Sequence, residues 1–163
     1  MCRPIACDVP EAVKLRRITA EDWQAWREIR VRSVEESPEA FAAHVRTITA
    51  EQDREPRWRD RIAHAVGCWL AFDGERPVGM VALDRMDDGR LQLASMFVGS
   101  EARLRGVGGA LIDAVVRESA GHDLYLRVMA GNDPAVAAYQ RAGFVLTDTT
   151  CDPDGCLTMT YRG

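Results

Sequence analysis

Apolar positions along this chain recur at two periods, and the changes from one to the other outline a fold. Residues 13–18, Val-Lys-Leu-Arg-Arg-Ile, alternate well enough for a half-buried strand. Thr19 stands as a helix cap, and across residues 21–36 the spacing of Trp23, Trp26, Ile29, Arg30 and Val34 is helical. Pro38 disfavours helical backbone at Ser37, so this helix should end there. Thr49-Ala-Glu-Gln52 spells a capping box, and residues 58–65 read as a second helix or its latter half. Residues 68–72 and 78–83, joined across Asp73-Gly-Glu-Arg-Pro77, form a hairpin, and Asp87-Asp-Gly89 turns the chain into a further strand at 91–98.

Residues 107–120 then place Leu111, Ile112, Val115 and Val116 on one stripe, with Asp113, Arg117 and Glu118 opposite and Gly121 closing the helix. Residues 123–129 are a strand again. A strand-helix-strand unit is a right-handed crossover, so this strand should lie parallel to 91–98. Asp133 is expected to cap a short helix with Pro134 at its first position and Gly143 just past its end. Residues 144–149 and 157–161 supply a last antiparallel pair. The predicted order is β-α-α-β-β-β-α-β-α-β-β, an α/β (α+β) arrangement, preceded by a flexible arm over residues 1–12.

The junction between the 91–98 strand and the helix after it carries the first chemistry. Val98-Gly-Ser-Glu-Ala-Arg103-Leu-Arg-Gly106-Val-Gly108-Gly109 runs from strand through a glycine-rich turn straight into a helix. The first turn of a helix has N–H groups without partners and partial positive charge, which suits an anion such as a phosphate. Gly106, Gly108 and Gly109 clear the backbone of side chains, and Arg103 and Arg105 add positive charge. The dinucleotide fingerprint fails because Leu111 stands where its third glycine belongs, and the NTPase loop fails for want of Gly-Lys-Ser/Thr.

At 163 residues the chain fits one domain with a sizeable core. A net charge of −4 does not favour nucleic acid as a partner, and no apolar run approaches the roughly 20 residues of a membrane span. The first residues lack the apolar core of a signal peptide, so the expectation is a cytoplasmic protein that does not engage membranes. Cys2, Cys7, Cys68, Cys151 and Cys156 show no zinc-type pairing, so free thiols and no metal are expected. Cys151 and Cys156 flank Asp152-Pro-Asp-Gly155, a turn that leaves open whether they face each other across a hairpin.

Arg103-x-x-Gly106-x-Gly108 resembles the Q/R-x-x-G-x-G/A signature of the GCN5-related N-acetyltransferase (GNAT) family, and Asn132-x-x-Ala135-x-x-x-Tyr139-x-x-x-Gly143-Phe144 is similar to that family's segment after the fifth strand. The two together are far more specific than either. The resemblance implies one acetyltransferase domain over residues 13–163, a mixed sheet of six to seven strands with about four helices, and acetyl-CoA as co-substrate. It implies that Met96, Phe97 and Val98 offer main-chain bonds to the pantetheine arm, as an added strand would. Arg103, Leu104, Arg105, Gly106, Val107, Gly108 and Gly109 would hold the pyrophosphate with Ala110 at the edge, and Asn132 would bond the pantetheine side.

Tyr139 has Ala135, Ala138 and Ala142 on its side of the short helix, leaving a slender groove where a thioester would fit. Its phenol would then be the general acid toward a departing thiolate. A lysine-like amine is neutral in only about one molecule in 2,500 at pH 7, so a base is needed. Several family members use a glutamate five residues before the asparagine, and that position is Arg127 here. The departure leaves the base open among Glu35, Glu36, His44 and Asp84, and a main-chain N–H near Val98 is expected to hold the oxyanion. The expected acceptor is an amine of a small molecule in preference to a peptide. The resemblance also carries the expectation of a homodimer, and the alternative reading is a catalytically silent acyl-CoA sensor or scaffold.

Overall fold

The structure, a computed structural model, describes residues 12–163, so the arm expected at the N-terminus lies outside the described residues except for its last member. Strands Lys14–Arg17 (β1), Gly67–Asp73 (β2), Arg76–Arg85 (β3), Leu91–Val98 (β4), Leu124–Met129 (β5), Val145–Asp148 (β6) and Cys156–Tyr161 (β7) build one sheet in the order β1-β2-β3-β4-β5-β7-β6. Every neighbouring pair is antiparallel except β4 and β5, which run parallel as the crossover rule requires. Helices Trp23–Glu36 (α1) and Glu55–His64 (α2) cover one face, and Val107–Glu118 (α3) and Asp133–Arg141 (α4) the other.

Alternation along the strands divides the core into two layers. Leu124, Leu126 and Val128 of β5 join Leu111, Ile112 and Val115 of α3 on one side. On the other side Trp26 and Ile29 of α1 and Trp58 and Ile62 of α2 pack on Leu70, Met80 and Phe97. Fully burying side chains of this size stabilises the fold by about 1.5–3 kcal/mol each, so each helix is held to the sheet chiefly by its apolar stripe.

Several boundaries depart from the sequence expectations, each for a local reason. Thr49 and Gln52 do exchange capping-box bonds, at 3.2 and 2.9 Å, yet α2 starts only at Glu55. Pro56 has no N–H to give the Gln52 carbonyl, so helix cannot run through from Gln52 and begins with the proline in its first turn. Asn132, not Asp133, caps α4: its Oδ1 accepts from the Ala135 N–H at 3.4 Å. Pro134 occupies the second helical position and offers no donor, which leaves Ala135 to supply it. The residues before α1 form a 3₁₀ turn, Ala20–Asp22, capped by Thr19 as expected.

Candidate functional site

β4 and β5 are bonded only at Leu91 with Leu124 and Gln92 with Tyr125. Beyond those pairs β5 follows β7, β4 follows β3, and a cleft opens between the two parallel strands. The Gly99 N–H bonds the Val78 carbonyl on β3, so the carbonyl of Val98 on the same peptide faces the cleft, and strand alternation turns the main chain of Met96 to that side as well. Phe97 is different. Its carbonyl faces β3, 3.4 Å from where a Cβ on Gly79 would stand, and its ring lies in the α1–α2 core. Met96 and Val98 are therefore the residues whose main chain borders the cleft, and their side chains lie 3.5 and 3.8 Å from the Cβ position of Gly108.

At the mouth of the cleft the chain turns through Leu104 (φ +60°) and Gly106 (φ +77°) into α3. Two left-handed residues so close together turn successive backbone amides toward one side, and α3 begins with the unpaired N–H groups of Val107, Gly108 and Gly109. The Ala110 N–H bonds the Gly106 carbonyl at 3.1 Å and starts the helical ladder, so Ala110 offers contact but no free donor. Arg103 lies back along the cleft, donating from Nε to the Val98 carbonyl at 3.0 Å and reaching Ser37 Oγ at 3.3 Å. Arg105 pairs with Asp73 of the β2–β3 turn at 3.3 Å. A Cβ at Gly106 or Gly109 would meet nothing within 4 Å, so the space over this turn is open.

Asn132 lies just past the C-terminal end of β5, where it caps α4. Tyr139 is only 8% exposed and packs edge-on against Phe144, with ring centroids 5.8 Å apart. The Gly-Phe pair explains itself here: Gly143 holds φ +103° with the Tyr161 ring 3.1 Å from its Cβ position, which lets Phe144 turn back beneath Tyr139. Burial pushes the Tyr139 phenol well above its ordinary value of 10.0, so it stays neutral. No other described residue bonds its hydroxyl.

The opposite face of the sheet holds features that the sequence reading missed. Ser95 has φ +54° within an irregularity of the β3–β4 register, a bulge in β4. Arg61 of α2 reaches its Oγ at 3.4 Å while gripping Asp84 of β3 with two bonds of 2.8 and 2.9 Å. Arg127 of β5 is held by Asp152 and Asp154 of the β6–β7 loop at 2.6 and 2.7 Å, and His44 lies 3.5 Å from Asp154. A cavity of about 470 Å³ lies between α1, α2 and the segment joining them, lined by Arg30, His44, Val45, Ile48, Trp58 and Arg61 among others. The signals were present in outline, since Arg30 sits in an otherwise apolar stripe, but nothing local says where its guanidinium goes.

These contacts separate the four candidate bases. Glu36 is bound to Arg32 at 2.5 Å, and Asp84 is bound twice to Arg61. Glu35 borders a larger depression of about 730 Å³ on the outer side of α1, lined by Trp23, Arg27 and Asp53 and away from the diverging strands. His44 lines the inner cavity. Among the described residues Cys68, Cys151 and Cys156 are free, no group of His, Cys, Asp and Glu is placed to hold a metal ion, and no helix is long and apolar enough to cross a membrane. Cys2 and Cys7 lie outside the described residues.

Comparison with known proteins meets this geometry. The sequence model of the Acetyltransferase (GNAT) family matches residues 19–144. The chain is 32% identical to the mycothiol acetyltransferase of Clavibacter sepedonicus over 94% of its own length and 47% of the relative's. It is 30% identical to the uncharacterized N-acetyltransferase YfmK of Bacillus subtilis (strain 168) over 57% of its own length and 64% of the relative's. It thus spans less than two thirds of either curated relative. The crystal structure of PaiA N-acetyltransferase from Thermoplasma acidophilum in complex with coenzyme A shares the fold at TM-score 0.74, with 15% identity, covering 93% of this chain and 99% of that one.

Proposed function

The chain belongs to the acetyltransferase (GNAT) family, and from that premise we propose that it transfers the acetyl group of acetyl-CoA directly to an amine of a small acceptor. The observation that carries this reading is the cleft between β4 and β5, bonded only at its closed end and opening onto the glycine turn of α3. The residues fit acetyl-CoA: Met96 and Val98 present main-chain groups to an extended arm, as a strand edge does. The amides from Leu104 to Gly109 meet a pyrophosphate at the positive end of α3, with Arg103 and Arg105 beside it. Asn132 borders the pantetheine side, its cap to Ala135 leaving its amide donors unused.

Acetyl-CoA supplies an activated thioester. Tyr139 stays protonated in its buried setting and donates toward the departing sulfur. Because its pKa is raised above that of an ordinary thiol, near 8.5, complete transfer is uphill, and the phenol acts chiefly by bonding charge as it develops on sulfur. The cleft-facing N–H of Val98 would steady charge on the carbonyl oxygen. His44 is the candidate base that borders the inner cavity. Its Nδ1 lies 3.5 Å from Asp154.

Release of CoA thiol from acetyl-CoA in the presence of an amine panel tests the reading. Tyr139→Phe is expected to lower kcat about 100-fold while CoA binds within about twofold of its original strength. If no amine consumes acetyl-CoA, or if Tyr139→Phe turns over at the original rate, the proposal fails in its first or second half respectively.

A further inference from the structure

The inner cavity is cationic, and its charge is unevenly balanced. Arg30, Arg57, Arg61 and His44 line it, and no aspartate or glutamate does. Arg61 is neutralised by its two bonds to Asp84, and Arg57 lies 3.6 Å from Glu51 at the surface. Arg30 has no carboxylate partner among the described residues. Its two terminal nitrogens reach Ser33 Oγ at 3.3 Å and the Val45 carbonyl at 3.1 Å, and its plane lies over the Phe41 ring at 4.9 Å. A guanidinium has five N–H donors, so this one is fixed in place with capacity left over. Burial and the neighbouring Arg61 cation both weigh against its charge, which a bound anion would relieve.

The same cavity is joined to both diverging strands. Arg61 reaches Ser95 of the β4 bulge, and His44 reaches β5 through Asp154 and Arg127. Val45, Ile48 and Trp58 add an apolar wall. We infer that the acceptor is an amine bearing a carboxylate and an apolar side group, of the α-amino-acid type, and that Arg30 grips its carboxylate. The inference rests on the transferase reading above and names its substrate class. A planar carboxylate matches the guanidinium fork in shape and charge, whereas a purely cationic amine would meet the unbalanced charge of Arg30. Phe41 and Ser33 hold the fork in one orientation, so little freedom is lost when the guest arrives.

The test compares L-methionine and L-phenylalanine with their α-carboxamides as acceptors, in the unaltered protein and in Arg30→Met. A charge-assisted bond is worth a factor of about 10 to 100, so kcat/KM for acid over amide should be at least about 10 and should fall to near 1 in Arg30→Met. A ratio near 1 in the unaltered protein overturns the inference without touching the transferase reading, and so does a ratio that survives in a folded Arg30→Met. Silence of every amine strikes the transferase reading instead. The carboxylate site is then read by quenching of tryptophan fluorescence with N-acetyl-L-methionine against N-acetyl-L-methioninamide. Tighter binding of the acid supports the site, and equal binding or none by the acid overturns it.

Discussion

Gly106 stands where loop becomes helix, with φ +77° and nothing within 4 Å of its Cβ position. A side chain there has room, so its cost is that of left-handed backbone alone, about 1–2 kcal/mol. Gly109, two residues into α3, also has open space around its Cβ position but no left-handed angle, and alanine exceeds glycine in a helix by up to about 1 kcal/mol. Gly106→Ala should therefore lower, and Gly109→Ala raise, the urea midpoint of unfolding, an opposition that equal shifts would refute. Arg127 departs from the family pattern, and its structural consequence lies elsewhere. The sequence marked it as something other than a base, and the fold gives it two loop aspartates to hold.

That contact sets the behaviour of one connecting element. The β6–β7 loop is already shaped by Asp152, whose Oδ1 accepts from the N–H groups of Asp154 and Cys156 at 3.0 and 2.9 Å. Arg127 ties this preformed turn to β5, and the pairs are partly exposed, which limits each to about 1 kcal/mol or less. Arg127→Ala should quicken amide hydrogen exchange in residues 149–155 while the thermal midpoint moves only a few degrees. A large fall in that midpoint would mean that the tie carries the fold rather than the loop. At the other end of the site α1 is fastened by Arg32, which bonds both Glu36 and Glu101, so the helix end and the turn leading to α3 are set together.

Charge pairs of this kind give the whole molecule its pH range. Arg32 holds the Glu101 carboxyl down at about 2 against an ordinary 4.5, and Arg27 with the Trp58 N–H holds Asp53 at about 2 against 3.8. A carboxyl depressed in the folded state contributes stability that is fully present above its unfolded value and lost as pH falls toward the folded one. Burial acts in the other direction on Cys68, raised from 9.0 to about 11, and on Tyr139, so their contribution is present below pH 9 and lost as pH rises. Urea titrations should show a plateau from about pH 5 to 9, falling on both sides; an unchanged midpoint at pH 3 would contradict the acid arm. Within that molecule the sequence by itself determined the order of elements, the parallel β4–β5 crossover, and the glycine turn with Asn132, Tyr139, Gly143 and Phe144. Each of these is local: a period, a cap, or a motif whose residues meet through one helix or one turn. Only the tertiary structure decided that Asp84 is occupied by an arginine, and that Arg30 is left without a carboxylate among the described residues. The Arg32–Glu36 pair is four positions apart on one helix and follows helical spacing, whereas the partners of Arg61 and Arg30 lie 15 to 34 positions away, where no spacing rule along the chain reaches.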